Sequence, residues 1–205
     1  MEEVLDAYAW PYHPDEPLVC FDEMSRQLLD HVLEPLPMEP GQPRREDYEY
    51  ERKGTANLFL SFQPLTGWRH VEVTERRTKP DFAEQMKQLV DVHFPDARLI
   101  HVVLDNLNTH TFASLYETFP AEEAQRLRKR LVFHYTPKHG SWLNQAEIEL
   151  SILSRQCLNR RLPDRETMKR EVTAWEARRN EAKSKIHWLF KVEDARLKLK
   201  HLYPL

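Results

Sequence analysis

Two short apolar runs each hand over directly to an aspartate, and this pattern limits the possible folds more than any other feature of the chain. Leu18-Val19-Cys20-Phe21 leads into Asp22 and Glu23, and Leu99-Ile100-His101-Val102-Val103-Leu104 leads into Asp105 and Asn106. Near-continuous apolar runs of this length read as strands buried on both faces. A carboxylate beside such a strand is costly to desolvate unless positive charge compensates it. Two of them in one domain therefore suggest a shared cation. A third acid, Glu147, closes Trp142-Leu143-Asn144-Gln145-Ala146-Glu147, where the pattern is helical.

Around these segments the periodicity predicts an alternating order. The first strand ends at Asp22, and Pro35, Pro37, Pro40, Pro43 and Gly41 then impose a loop. Residues 56–62 and 68–73 flank Pro64 to Gly67 as a hairpin, and the second of these strands alternates, so one of its faces should be wet. Phe82, Met86, Leu89, Val90 and Phe94 recur at helical spacing before Pro95. Helical patterns around 112–116 and 122–131 lead to a strand at 132–135. Gly140 precedes the helix of Glu147, and Asp164 caps a helix with Met168, Val172 and Trp175 on one face. With 205 residues this gives one α/β domain, a mixed central sheet flanked by helices over about 15–160, with a helical C-terminal extension over about 161–205.

Mg²⁺ and Mn²⁺ prefer oxygen ligands and keep several waters, so a few carboxylates at strand ends can hold them. Two such ions about 3.5–4 Å apart can activate a water or 3′-hydroxyl and stabilise the leaving oxygen of an in-line phosphoryl displacement. Asp22, Asp105 and Glu147 have suitable settings, although each has a plainer reading. Asp105 could start a turn, Glu23 could replace Asp22, Glu147 could reach back to the Asn144 backbone as a capping box, and Glu149 is a second acid on another helical face.

Charge is unevenly distributed. Residues 1–121 carry 11 Lys+Arg against 22 Asp+Glu, whereas residues 122–205 carry 19 against 11, so the C-terminal part suits a polyanion partner or presents an ordinary solvated surface. Lys138, His139, Arg155, Arg160 and Arg161 are candidate phosphate contacts, as is the run Arg128-Lys129-Arg130; Trp142 either stacks on a base or packs in the core. The ten histidines contain no zinc-hydrolase pair, and no glycine-rich phosphate loop or nucleophile elbow occurs. Cys20 and Cys157 match no metal or redox spacing, which fits a reduced compartment. The acidic N-terminus is unlike a signal peptide, and no run is long enough for a membrane span.

Three ordered motifs carry a resemblance: Val19-Cys20-Phe21-Asp22-Glu23, Val103-Leu104-Asp105-Asn106-Leu107-Asn108-Thr109-His110, and the stretch from Tyr135 through Pro137-Lys138-His139-Gly140-Ser141-Trp142-Leu143-Asn144-Gln145-Ala146-Glu147. On these the chain resembles the catalytic region of DDE-type transposases of bacterial insertion sequences, in the mariner-like superfamily. The resemblance implies an RNase H-like fold with Asp22, Asp105 and Glu147 as catalytic, metal-binding acids, and it favours Glu147 over Glu149. It further implies Mg²⁺ or Mn²⁺, two ions, DNA element ends and target DNA as partners, a homodimer, and a cytoplasmic, nucleoid-associated setting without membrane. Relatives usually carry helix-turn-helix regions ahead of the first Asp, whereas only some twenty residues precede Asp22 here. A separate helix-turn-helix polypeptide is therefore one expected partner. The rival expectation is a catalytically silent DNA-binding or oligomerisation fragment that modulates a full-length transposase.

Overall fold

Alternation along the first strand decides how the layers are built. Leu18 and Cys20 point to one side of the sheet, and Val19 and Phe21 to the other, where each joins a separate buried cluster. The computed structural model describes residues 1–138 and 140–200. Its elements in order are α1 (Glu2–Ala9), β1 (Leu18–His31), β2 (Tyr50–Gln63), β3 (Trp68–Thr74), α2 (Lys79–Gln88), β4 (Ile100–Leu104), α3 (Phe112–Thr118), α4 (Ala121–Arg128), β5 (Leu131–Tyr135), α5 (Gln145–Leu153), α6 (Arg165–Glu181) and α7 (Val192–Lys198). The sheet order is β3-β2-β1-β4-β5, antiparallel between β1, β2 and β3 and parallel from β1 through β4 to β5. The mixed sheet flanked by helices is thus the expected one.

One face carries α1, α5 and α6, whose Val4, Ala7, Ala146, Leu150, Leu153, Met168, Val172 and Trp175 pack with Leu18, Cys20, Leu58, Leu60, Phe62 and Val103. The other carries α2, α3 and α4, with Phe82, Met86, Leu115, Ala124 and Leu127 against Val19, Phe21, Phe59, Val102 and Leu104. Capping follows the sequence signals: Asp164 accepts from Thr167 N at 2.7 Å, and Thr78 and Asp81 form a capping box at α2. Both cysteines are free and buried. Among the described residues no helix is long and apolar enough to cross a membrane.

One sequence expectation needs correction. The first strand does not end at Asp22 but runs on to His31, paired with β2 as far as Tyr50 and interrupted by a bulge between Gln27 and Leu29. Residues 22–31 give no apolar run because this part of the ribbon lies partly exposed, and the backbone ladder, which periodicity does not register, holds it. The N-terminal residues form α1, whose Val4 and Ala7 are buried. The second hairpin strand alternates as expected, with Arg69 and Val71 buried on one face and His70 and Glu72 partly exposed on the other. Arg69 is fully buried, and α6 covers the strand's edge: Asn180 Oδ1 accepts from Arg69 N at 2.9 Å, and Glu176 Oε2 accepts from Val71 N at 2.8 Å.

The β2–β3 turn depends on Gly67. Its φ of 77° lies in the left-handed region, and a β-carbon there would come within 2.6 Å of the Lys183 backbone carbonyl. Gly67→Ala should lower stability by at least about 2 kcal/mol, because the left-handed penalty of roughly 1–2 kcal/mol adds to that collision. An unchanged thermal melt would mean that the turn and residues 183–184 part freely.

Candidate active site

The parallel pairing of β1 with β4 places the first two acids. Leu18, Val19 and Cys20 face His101, Val102 and Val103, a constant offset of 83 residues. Continued by two positions, that offset sets Asp22 level with Asp105, just past the end of β4. Strand alternation sends Asp22 to the same face as Leu18 and Cys20, toward α5, and sends Glu23 to the opposite face with Val19 and Phe21.

The helix bearing the third acid is fastened to the same strand. Asn144 caps α5, accepting from Ala146 N at 3.1 Å, while its Nδ2 donates to the carbonyl of Phe21 at 2.8 Å. The residue before Asp22 and the first turn holding Glu147 are therefore joined through one buried carboxamide. Glu147 lies in that first turn, and among the described residues its carboxylate makes no hydrogen bond, so the capping-box alternative is not realised. Glu149, two residues on, is itself fully buried and points the other way into an ion cluster: Arg179 Nε lies 2.7 Å and Arg69 Nε 2.8 Å from its Oε1. A carboxylate held between two guanidiniums inside the protein is not free to serve Asp22.

Electrostatics tie the acids together. Burial pushes the Asp22 carboxyl up to about 7, against the hydrogen bond it accepts from Glu23 N at 2.8 Å, and the negative charges of Glu23, Asp105 and Glu147 push it further. Asp105 is held below the usual range chiefly by His110, whose Nδ1 lies 2.7 Å from Asp105 Oδ1. The same Oδ1 accepts from Leu107 N at 3.1 Å, so the turn-forming reading of Asp105 also holds. Opposing burial, the contacts of His110 with Asp105 and Glu23 raise it to about 9, which makes it an imidazolium at neutral pH.

Among the described residues no three His, Cys, Asp or Glu side chains stand ready as a metal cage. The donor chemistry nonetheless fits a hard divalent cation. The acids offer only oxygen, and the like charge crowded around buried Asp22 is what such a cation offsets.

Beside Asp105 a cleft of about 230 Å³ is bounded by Asn106, Leu107, Thr136, Pro137, Lys138 and Ser141. Lys138 is exposed there, and His139 lies outside the described residues. Trp142 is not a core residue: it is 45% exposed, with its ring edge-on to Phe190 at 5.5 Å. Arg155 is exposed and, among the described residues, bonds only to its own helix, through Ser151 O. Arg128 and Lys129 are exposed, whereas three other basic candidates are engaged. Arg160 pairs with Glu171, Arg161 bonds His31 and the carbonyl of Asp47, and Arg130 bonds the carbonyls of Phe94, Pro95 and Ala97. Sequence reading overlooked His110 and Asn144. The spacing Asp-Asn-x-x-x-His was on the page, but nothing local marks a loop histidine as buried.

A mixed five-stranded sheet in the order β3-β2-β1-β4-β5, flanked by helices, is that of an RNase H-like domain. A model of the DDE superfamily endonuclease matches residues 17–169, and the chain belongs to that family. No curated protein matches the sequence. Among solved structures, the Mos1 mariner paired end complex with Mn superposes with a TM-score of 0.57 at 17% identity, covering 89% of this chain and 54% of that one. The Mos1 transposase paired-end complex with left transposon end and the Mos1 strand transfer complex each give 0.55 at 16% identity, covering 86% of this chain and 52% and 51% of theirs. The chain spans about half the length of these proteins, and the likeness is one of fold.

Proposed function

We propose that this chain is the catalytic core of an insertion-sequence transposase, carrying out metal-dependent DNA strand cleavage and strand transfer. The observation that supports this best is the level placement of Asp22 and Asp105 on adjacent parallel strands, with Glu147 close enough for its charge to act on Asp22. Membership of an endonuclease family and a fold shared with a mariner strand transfer complex support the same reading.

In this reading Asp22, Asp105 and Glu147 hold Mg²⁺ or Mn²⁺, as two ions. When bound, these would polarise the scissile phosphate and lower the pKa of the attacking water or 3′-hydroxyl. The chain's own residues set the geometry. Asn144 keeps α5 against β1, and the Leu107 amide and His110 orient Asp105. The cleft beside Asp105 admits a backbone phosphate toward Lys138, and exposed Trp142 offers a face for an unstacked base. Arg155 extends the phosphate-binding surface, while Arg160 and Arg161 would first have to leave their present partners.

The test is a cleavage and joining assay on pre-nicked and intact element ends with Mg²⁺ or Mn²⁺, with and without a helix-turn-helix region supplied fused or in trans. The chain alone should bind DNA weakly, with little sequence preference and a steep loss of affinity as salt rises. Adding the recognition region should bring selectivity for the ends and metal-dependent cuts there. A folded chain that binds DNA or a partner and never cuts, in either arrangement, would establish the silent-fragment reading instead.

A further inference from the structure

His110 is fully buried beside the acids, yet neither the family assignment nor the three-acid reading gives it a part. Its ring is enclosed by Phe82, with centroids 4.8 Å apart, and by Phe21 at 5.6 Å. Its own carbonyl accepts from Tyr135 Oη at 2.8 Å, which ties the loop after β4 to the end of β5. Both ring nitrogens face carboxylates, but unequally. Nδ1 makes an aligned 2.7 Å hydrogen bond to Asp105 Oδ1. Nε2 lies 2.9 Å from Glu23 Oε2, a charge contact without hydrogen-bond alignment.

Two consequences follow. Asp105 Oδ1 already accepts from His110 and from Leu107 N, which leaves Oδ2 as the oxygen with no hydrogen bond among the described residues. Glu23, the acid adjacent to Asp22, is drawn toward His110 on the opposite face of the sheet from α5. A single side chain thus fixes the rotamer of one acid and draws another away.

We propose that His110 is a positioning residue: its Nδ1 donor orients Asp105 to present one oxygen to a divalent cation, and its Nε2 side keeps Glu23 out of that cation's ligand set. This rests on the metal-site reading above. Hydrogen-bonded partners of metal-ligating carboxylates generally do such work, and losing one typically costs 10–100-fold in metal affinity or activity.

Side-chain shape makes the idea testable. In His110→Asn the amide nitrogen falls near the Nδ1 position and can still donate to Asp105. In His110→Gln it falls near Nε2 and can serve only Glu23. His110→Phe fills the ring's volume and donates to neither. Mn²⁺ affinity would be read by electron paramagnetic resonance on the full chain, with metal-free thermal melts alongside.

The expected result is a 10–100-fold weaker Mn²⁺ affinity for His110→Gln and His110→Phe, with His110→Asn recovering most of it, whatever the three melting temperatures do. Should His110→Phe fail to fold, the contrast between Asn and Gln decides alone. Equal Mn²⁺ affinity in the Asn and Gln variants would overturn the proposal and leave His110 as a packing residue. Asp105→Asn separates the two levels of inference. If it retains Mn²⁺ binding, the metal-site reading itself fails. If it loses binding while His110→Gln keeps it, only the positioning role falls.

Discussion

Asp22→Asn, Asp105→Asn and Glu147→Gln should each lower metal-dependent cleavage by about 10³-fold or more, since each removes an anionic ligand worth several kcal/mol of transition-state stabilisation while nearly preserving shape. Stability should move differently. The Asp22 carboxyl is pushed up to about 7 in the fold from an ordinary value of 3.8. Between those values the folded chain retains a proton that the unfolded chain has released. Raising the pH through this window therefore favours unfolding, and the penalty is fully present above about pH 7. Asp22→Asn removes that penalty, so in metal-free buffer near pH 8 it should melt at or above the temperature of the parent protein. An inactive variant that also melts much lower would show Asp22 to be a structural group and not a cation ligand. Retained cleavage in any of the three variants, with folding intact, would remove that residue from the site.

The sequence revealed the acids because each lies where a hydrophobic pattern stops. An apolar run followed by Asp is a local signal, and the helix of Glu147 and the cap at Asp164 were legible for the same reason. What stayed hidden depends on pairing between distant residues. The outer parts of β1 and β2 are held by ladder hydrogen bonds between polar, partly exposed residues, so no periodicity reports them. His110 gains its setting only when β1 brings Glu23 and Phe21 beside the loop after β4. Basic residues were the least legible group. Arg130 and Arg161 resemble Arg155 in sequence, yet both are used to satisfy backbone carbonyls of loops far along the chain. Composition counts their charge, but only the tertiary structure shows how it is spent.

The choice between Glu147 and Glu149 rests on another such distant pairing, and it leads to the largest expected stability change. Glu149 and Arg69 are both fully buried, and Arg179 is 17% exposed on its side chain. The three join α5 to β3 and α6. Forming such a cluster gains little net energy, because desolvation consumes most of the Coulombic attraction, whereas breaking it leaves charge buried without a partner and costs about 3–5 kcal/mol. Glu149→Gln removes the anion facing both guanidiniums, leaving Arg69 only the neutral acceptors Asn180 Oδ1 and the Ser184 carbonyl, and should therefore lower the melting temperature by about 6–20 °C, taking about 2–4 °C per kcal/mol for a domain of this size. Cleavage by the variant should fall only to the extent that the protein unfolds, and its Mn²⁺ affinity per folded molecule should match the parent protein. Glu147→Gln should give the reverse pattern, losing metal affinity with little change in melting. Exchanging Arg69 and Glu149 together for Met and Leu should recover much of the loss, since the pair's volume can be filled by apolar atoms while Arg179 turns its head to solvent. If Glu149→Gln melts like the parent but loses Mn²⁺, the third ligand is Glu149, and the buried cluster is an arrangement that the bound metal would displace.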